Sequence, residues 1–305
     1  MPASSVNLVQ AVAVNNSSAA FFVDPQLDLV EKTSSGKVIT VQSASQQAPV
    51  QAFSAGVDRF GNADAFVQIG SKVMVEFNSQ GAQFVVSPVP IKEFTATHGD
   101  RLYEVGTDNS LWMFSPSTGF KKVLGAGQAQ YVDAVTRTGG SLAGHDELFV
   151  VRGNSELDVA NVTVTNGIVA TTTVEIAIPN FFRFDTISAG LDVNGNGDVF
   201  ALSTAANGNQ LWRFSGGVWT ALGSANEFTQ ISATNGGTVF CLTSSGSLDK
   251  FDAHNSFTNL YNNSFFAVAA ASSNDVYVAD TFDSSLWELT GTSTWHEWAG
   301  PGSVL

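Results

Sequence analysis

The sequence predicts an all-β fold built from seven repeated four-stranded sheets, and three observations carry this prediction. First, only 13% of the 305 residues are charged, and long helices with solvated faces usually need more Lys, Glu and Arg than this. Second, short apolar runs are separated by clusters of Gly, Asn and Ser that favour tight turns. Third, similar segments recur along the chain at intervals of about 45 residues. Since 44% of the side chains are hydrophobic, the chain can bury a substantial core.

The recurrence is clearest in two stretches that match at eight of sixteen positions, FSAGVDRFGNADAFVQ from Phe53 and ISAGLDVNGNGDVFAL from Ile187. A second landmark contains Leu-Trp and occurs as SLWMFSPSTGFKKVLG (110–125), QLWRFSGGVWTALG (210–223) and SLWELTGTSTWHEWAG (285–300). SLDKFDAHNSFTNLYN (247–262) keeps the spacing but has Asp249 in place of Trp. These landmarks divide the chain into seven units, at residues 6–48, 49–91, 92–129, 130–180, 181–226, 227–264 and 265–305.

Each unit is predicted to contain four short strands. Units of this length with four strands each are typical of a β-propeller, in which sheets pack face to face around a central axis. Apolar runs such as residues 148–151 and 265–270 suit strands that are covered by neighbouring sheets on both faces. In the fifth unit the strands are expected at residues 184–189, 198–203, 210–215 and 218–222, and in the seventh at 266–271, 275–279, 285–290 and 294–298.

The fourth unit departs most from the pattern. Its run NVTVTNGIVATTTVEIAI, residues 161–178, predicts a long hairpin around Asn166-Gly167 but lacks the Leu-Trp landmark. Seven blades is therefore the prediction, and six blades with one distorted insertion is the alternative. Residues 1–305 are expected to form this one propeller domain.

Three segments of the sequence resemble the repeats of tectonin-type or tachylectin-like β-propellers. They are LWRFSGGVWTALG, ISAGLDVNGNGDVFAL and ISATNGGTVFCLTSSGSLDKF. Such repeats run from an Ile-Ser-Ala/Val-Gly strand, through a Val-Phe/Trp-Ala-Leu strand, to a Leu-Trp/Tyr-Arg-Phe strand and a closing Trp. The likeness covers units five to seven well, units two and three in part, and units one and four hardly. These motifs mainly specify the structure of a blade. The resemblance is therefore specific for the fold and only suggestive of a function.

The resemblance implies a non-enzymatic, lectin-like protein, since members of that family commonly bind sugars in clefts between blades or in loops on one face. The Trp of the third strand is present in three units, and packing between blades explains it better than ligand stacking does. Neutral hydrogen-bonding side chains suit the recognition of sugar hydroxyls. The candidate glycan-binding residues are Asp108, Asn109 and Trp112 in unit three, Asn209 and Trp212 in unit five, and Asp283 and Trp287 in unit seven.

The segment 192–198 raises the question of a calcium site. Asp192, Asn194, Asn196 and Asp198 offer oxygen ligands at alternate positions, as in an EF-hand loop. Position 12 of such a loop would be Ser203, where a bidentate carboxylate is needed. Asn-Gly with flanking Asp is also a turn former. A hairpin turn is therefore the favoured interpretation, with calcium binding as the alternative, and no other cofactor is indicated.

Composition limits the partners. The formal net charge of -14 opposes binding to nucleic acid and to anionic membrane surfaces, whose affinity depends on Lys and Arg. No apolar run reaches the ~18 residues that span a bilayer, and the first residues lack the features of a signal peptide. The expected partners are therefore glycans or, as the alternative, a protein partner within a larger extracellular or cell-surface assembly.

The sequence contains no recognisable catalytic motif. It has no Gly-x-Ser-x-Gly elbow and no nucleotide-binding Gly motif, and its four His residues share no metal-binding spacing. Asp and Glu are scattered over many loops, so that a hydrolase or lyase using a carboxylate pair stays open as a third possibility. Cys241, between Phe240 and Leu242, is predicted to be a buried and inert thiol.

Overall fold

The computed structural model describes residues 9–14, 17–33, 35–43, 49–153, 157–165, 168–176, 183–205, 208–225, 227–262 and 264–304. Within these ranges, 28 strands form seven four-stranded antiparallel sheets, each built from four consecutive strands. The seven blades confirm the predicted β-propeller, and the alternative of six blades is wrong. The one helical element in the described ranges is a 3-10 turn at Gly140–Leu142. None of the helices found there has the length and hydropathy to cross a membrane.

The strands are numbered in chain order, and the order within each sheet follows the chain. Blades 1 to 3 consist of β1 (Val9–Val14), β2 (Ser17–Val23), β3 (Leu29–Lys32), β4 (Val38–Gln42), β5 (Ala52–Val57), β6 (Ala63–Gln68), β7 (Val73–Asn78), β8 (Gly81–Val86), β9 (Ile91–Ala96), β10 (Leu102–Gly106), β11 (Leu111–Ser115) and β12 (Gly119–Leu124). Blades 4 and 5 consist of β13 (Tyr131–Thr136), β14 (Asp146–Val151), β15 (Leu157–Thr165), β16 (Ile168–Ile176), β17 (Arg183–Leu191), β18 (Gly197–Ala205), β19 (Gly208–Ser215) and β20 (Val218–Leu222). Blades 6 and 7 consist of β21 (Phe228–Thr234), β22 (Thr238–Thr243), β23 (Leu248–Phe251), β24 (Phe257–Tyr261), β25 (Phe265–Ser272), β26 (Asp275–Asp280), β27 (Leu286–Thr290) and β28 (Thr294–Ala299).

The strands of the fifth and seventh blades lie where the sequence predicts them, to within two residues at each end. The long hairpin of the fourth blade is also present, because β15 and β16 pair in register from Leu157↔Ile176 to Thr165↔Ile168. Its turn residues, Asn166 and Gly167, lie outside the described residues. Turn chemistry and apolar alternation therefore locate these blades well.

The core consists of seven apolar clusters, one in each gap between successive blades. The second strand of every blade contributes one aromatic side chain, almost completely buried, that packs toward the following blade. Large rings suit this position because they fill the gap that widens between radial sheets. Their spacing along the chain is irregular, so that a strict period does not reveal them. They are Phe21, Phe66, Tyr103, Phe149, Phe200, Phe240 and Tyr277.

Blades 7 and 1 close the ring without exchanging a strand. Strands β1 and β25 lie side by side, and residues from both ends of the chain, Val9 and Val304, share one apolar cluster. Among the described residues, no strand pairing joins the two sheets, so that closure there depends on side-chain contacts.

A buried polar network crosses the same gap. Tyr277 Oη donates to Glu288 Oε1 at 2.6 Å, and Lys32 Nζ lies 2.8 Å from Tyr277 Oη and 3.3 Å from Glu288 Oε1. Ser18 Oγ lies 2.7 Å from Tyr277 Oη, and Trp298 Nε1 donates to Glu288 Oε2 at 2.6 Å. The Lys32 ammonium also lies 4.4 Å from the centre of the Trp298 ring. Because every member is satisfied, the network can stabilise the closed ring.

The alternating strand directions place the loops on two faces. We call the face at which the first strand of each blade begins the start face, and the opposite one the end face. Turns between second and third strands lie on the start face, together with the segments that link the blades. Turns between first and second strands lie on the end face.

Candidate functional site

A central channel runs between the first strands of all seven blades. On the start-face side it encloses about 450 Å³, and on the end-face side a second cavity encloses about 290 Å³. One alanine from each first strand lines both cavities, so that small side chains keep the channel open. The seven are Ala11, Ala55, Ala96, Ala134, Ala189, Ala233 and Ala270.

Polar side chains next to these alanines connect the first strands, which are the inner edges of their sheets and have no strand partner on that side. In five gaps, a side-chain oxygen accepts the backbone N–H of the alanine in the following blade. The bonds are Gln10 Oε1 to Ala55 at 2.7 Å, Ser54 Oγ to Ala96 at 2.9 Å, Asp133 Oδ2 to Ala189 at 2.7 Å, Ser188 Oγ to Ala233 at 2.9 Å and Ser232 Oγ to Ala270 at 2.9 Å. These bonds satisfy edge-strand amides that would otherwise be unpaired.

Two carboxyl groups on neighbouring first strands line the start-face cavity. Burial and, to a smaller extent, the nearby Asp133 carboxylate raise the pKa of Glu93 to about 8, although the backbone N–H of Val132 and the Lys92 ammonium oppose the shift. Burial also raises the pKa of Asp133, although Thr95, Ala134 and Ala189 donate hydrogen bonds to it. Glu93 is therefore largely a neutral carboxylic acid at pH 7, able both to donate and to accept a hydrogen bond.

The lining of the start-face cavity suits a neutral polar ligand. Among the described residues that line it there is no Lys or Arg, so that no cation is positioned to bind phosphate or a carboxylate. Two half-buried aromatic residues, Phe94 and Phe266, and the amides of Gln10 and Gln230 also line this cavity. Apolar surface combined with a few polar groups is typical of small-molecule sites.

The predicted residues of blades 3 and 7 form the same hydrogen-bonded turn on the start face. Asp108 Oδ1 accepts the Ser110 N–H at 3.0 Å and the Ser110 hydroxyl at 2.5 Å, and Ser110 Oγ accepts Trp112 Nε1–H at 2.8 Å. These hydrogen bonds from Ser110 lower the pKa of Asp108. The same three contacts, at 3.0, 2.6 and 2.7 Å, join Asp283, Ser285 and Trp287.

The tryptophans of the Leu-Trp landmark contribute to the interfaces between blades. Trp212 packs against the apolar cluster between blades 4 and 5, and Trp287 against the cluster between blades 6 and 7, as the sequence predicts. The Trp112 ring has the Lys122 ammonium 4.7 Å from its centre. In blade 6, Asp249 replaces Trp and accepts Asn259 Nδ2–H at 2.7 Å.

The seven candidate glycan-binding residues lie on the start face but in three separate blades. In blade 5, Trp212 Nε1 donates to Ser203 Oγ at 3.2 Å, and Asn209 lies at the start of β19. In blade 3, Asn109 has a φ of 59° and accepts Lys92 Nζ at 3.1 Å. The structure therefore does not gather the seven into one site, and their role in ligand binding stays a prediction.

The segment 192–198 forms a tight turn on the end face, which its Asn-Gly sequence predicts. Asp192 Oδ1 accepts the backbone N–H groups of Asn194 and Asn196, both at 2.8 Å. Asp198 is fully buried and receives two hydrogen bonds from Arg213 Nε, at 3.0 and 3.2 Å. Asp192 and Asp198 thus have separate partners within the protein, and calcium binding by this segment stays a prediction.

The channel groups were missed in the sequence. Glu93 and Asp133 stand in the strands IKEFTA and YVDAVT, and a carboxyl group inside a predicted inner strand is the signal that points to them. Cys241 is buried, as predicted, and burial raises the pKa of its thiol well above the usual value, which leaves it unreactive.

No protein-family model and no curated protein matches the sequence. Solved structures share the fold. The GH74 xyloglucanase of Xanthomonas campestris aligns over 96% of this chain and 54% of its own at 12% identity, with a TM-score of 0.65. The β-propeller domain of the Trilobed protease from Pyrococcus furiosus, described as having an open velcro topology, aligns over 98% of both chains at 8% identity, with a TM-score of 0.62.

The structural neighbours also include lectins. SapL1 lectin, in complex with alpha methyl fucoside, aligns over 99% of this chain and 97% of its own at 12% identity, with a TM-score of 0.49. At identities this low, the likeness extends to the propeller fold alone. A xyloglucanase and a domain of a protease share that fold, so that function has to be argued from the site.

Proposed function

We propose that this protein is a non-enzymatic propeller that binds neutral carbohydrate on its start face, at the mouth of the central channel. The observation that carries the proposal is the cavity of about 450 Å³, which combines carboxyl, amide and hydroxyl groups with two aromatic rings and has no Lys or Arg in its described lining. A volume of this order suits a mono- or disaccharide.

The chemistry of the wall matches sugar hydroxyls, each of which is both a donor and an acceptor. A neutral Glu93 can exchange both kinds of hydrogen bond with them. The rings of Phe94 and Phe266 offer apolar surface for the C–H face of a sugar ring. The resemblance to tectonin-type repeats supports the same ligand class.

A hydrolytic role is less well supported by this geometry. Glycoside hydrolysis needs two available carboxyl groups, one as acid and one as base or nucleophile. Both oxygens of Asp133 already accept hydrogen bonds, from Thr95 Oγ1 and from the Ala189 N–H, which leaves Glu93 as the available one of this pair.

The test is a glycan array followed by titration calorimetry with the best ligand. Thr186 is exposed and lines the cavity, so that Thr186→Trp should obstruct the mouth without disturbing the core. We expect this variant to bind the glycan at least about tenfold more weakly, because steric obstruction of the mouth should reduce the binding free energy by ~1.4 kcal/mol or more. Thr220→Trp, on the exposed outer strand β20 of the same blade, is the matched control and should bind normally.

Two outcomes would change the proposal. A folded wild-type protein that binds no glycan would overturn it. Binding that survives Thr186→Trp but is lost in Asp108→Ala or Asp283→Ala would move the site to the turns of blades 3 and 7, where the sequence predicts it.

A protein partner is the second candidate function, and one exposed side chain favours it. Phe282, at the tip of the start-face turn of blade 7, is 96% exposed. A large ring in that position is typical of interaction surfaces. Stoichiometric capture of a protein that competing sugars do not displace, and that Phe282→Ser abolishes, would support this alternative.

A further inference from the structure

Three acidic side chains lie buried between blades 2 and 3, near the end face. They are Asp64 in β6, Glu76 in β7 and Asp100 in the turn before β10, and one carboxylate oxygen of each lies within 4.8 Å of the others. Asp64 and Glu76 are 0% exposed and Asp100 is 2% exposed. The gap thus concentrates three acidic groups where water does not reach them.

The protein itself satisfies these groups only in part, since Asp100 Oδ1 accepts the backbone N–H of Arg59 at 3.3 Å. Neither carboxylate oxygen of Asp64 has a hydrogen-bond partner, and Oε2 of Glu76 has none either, while Asn78 Nδ2 donates to Glu76 Oε1 at 2.7 Å. An unpaired carboxylate in the interior is costly, because nothing replaces the water it has lost. Arg59 Nε lies 3.6 Å from Asp100 Oδ2, but the Arg59 side chain is 56% exposed.

Blade 5 shows how the same position is neutralised elsewhere in the ring. Glu76 pairs with Phe66 across strands β6 and β7, and Arg213 pairs in the same way with Phe200 across β18 and β19. Asp198 occupies the position of Asp64, and Arg213 Nη2 donates to its Oδ2 at 2.7 Å. Blade 2 therefore has a second carboxylate where blade 5 has the neutralising cation.

Four other buried carboxylates in the described part of the chain have a cationic partner. Asp64 and Glu76 have none there, and Asp58, Glu104 and Asp249 have only neutral hydrogen-bond partners. The paired ones are Asp146 with Arg101, Asp158 with Arg152, Asp198 with Arg213 and Glu288 with Lys32.

The missing cation is reflected in the raised pKa values of these carboxyl groups. Burial, together with the neighbouring carboxylates of Glu76, Asp100 and Asp58, raises the pKa of Asp64 to about 9. Burial likewise raises the pKa of Glu76 to about 7. Without a cation in the gap, these carboxyl groups have to hold protons near neutral pH.

We propose that Asp64, Glu76 and Asp100 bind a calcium ion that joins blade 2 to blade 3. The donors are all carboxylate oxygens, which hard divalent cations prefer. Calcium–oxygen distances of about 2.3–2.6 Å place opposite ligands about 5 Å apart, so that three oxygens within 4.8 Å of one another can share one calcium ion. The Asp58 carboxylate also acts on Asp64, Glu76 and Asp100, so that four carboxylates, one divalent cation and the Arg59 guanidinium sum to a charge of -1.

The test compares the full chain, freed of metal by a chelator, with two variants. Glu76→Arg copies the arrangement of blade 5 and should fold with its own ion pair to Asp64, without binding calcium at this gap. Asp192→Asn is the control, because it alters the other acidic turn on the end face and leaves this gap intact. Glu76→Gln, which nearly preserves side-chain size, serves if Glu76→Arg does not fold.

We expect calorimetry with calcium chloride to show one site per wild-type chain, retained in Asp192→Asn and weakened at least about tenfold in the Glu76 variants. Calcium at about 100 times its Kd should raise the Tm of the wild type by roughly 4 °C, given an unfolding entropy of ~2.1 cal/mol/K per residue. The Tm of Glu76→Arg should not respond.

The proposal is overturned if millimolar calcium produces neither heat nor a Tm shift in the wild type. It is also overturned if Asp192→Asn abolishes the response while Glu76→Arg keeps it, since the ion would then bind the 192–198 turn. Magnesium binding as tightly as calcium would contradict the assignment of the ion.

Discussion

Lys32 is the cation that completes the polar network between blades 7 and 1, and replacing it should weaken ring closure. Its side chain is 5% exposed and lies 3.3 Å from Glu288, which is 7% exposed. Lys32→Met keeps most of the apolar stem but removes the ammonium. Burial would raise the pKa of Glu288, but hydrogen bonds from Tyr277 and Trp298 and the charge of Lys32 hold it below its usual value, so that Glu288 is ionised near neutral pH.

The expected loss follows from the contacts that disappear. A hydrogen bond between charged groups contributes ~1.5–3 kcal/mol, and a desolvated cation–π contact about 1–2 kcal/mol. Because Tyr277 and Trp298 still donate to Glu288, we expect a total near 3–4 kcal/mol rather than the full penalty of an unpaired buried charge. With the unfolding entropy used above, this corresponds to a fall in Tm of roughly 5–6 °C.

The assay is urea unfolding at pH 7, followed by tryptophan fluorescence, with calorimetric Tm values as a second measurement. Lys37→Met is the matched control, because Lys37 lies in the same blade on an exposed position, and its change should stay within ~0.5 kcal/mol. The double variant Lys32→Met/Glu288→Gln should recover at least half of the loss. If Lys32→Met costs less than about 1 kcal/mol, the network does not hold the ring closed.

Three further predictions concern single groups. Glu93→Gln should leave the unfolding free energy nearly unchanged at pH 4 and raise it at pH 9 by at least about 2 kcal/mol. The pKa difference between about 8 in the folded protein and 4.5 corresponds to ~4.8 kcal/mol, and solvent screening reduces this because the Glu93 side chain is only half-buried. The wild-type carboxyl stabilises the folded state below pH 4.5 and loses that contribution as pH rises through 8, and equal effects at both pH values would contradict this. Asp192→Ala should lower the unfolding free energy by ~1–2 kcal/mol, with or without calcium, since two backbone amides lose their acceptor. A loss of stability seen only with calcium would support a calcium site in the 192–198 turn. Cys241 should react with a thiol reagent only at the rate of unfolding, and rapid labelling of the native protein would show that the site opens locally.

The blade count could be predicted because each blade carries local signals. Asn-Gly turns, apolar alternation and the Leu-Trp landmark are properties of neighbouring residues, and they locate the strands of blades 5 and 7 to within two residues. The divergent fourth blade was found from its hairpin, which also depends only on local turn chemistry.

The sites depend on contacts that the sequence does not encode locally. Glu93 and Asp133 lie close together because β9 and β13 are neighbours around the channel. The two residues are 40 positions apart in the sequence, and no local pattern predicts this proximity. Glu76 meets Asp64 through the register of β6 and β7, and Asp100 comes from the next blade. A one-residue shift of register would move Glu76 to the opposite face of its sheet, so that only the paired strands reveal the cluster.

The closure of the ring without strand exchange also bears on how such a chain can be rearranged. Every sheet is a contiguous piece of sequence, and Val9 and Val304 already touch the same cluster. A linker that joins residue 304 to residue 9, with new termini in an exposed connection between two blades, would therefore sever no sheet. Circular permutants of this protein should assemble the same seven sheets, and whole blades are natural units for duplication or exchange.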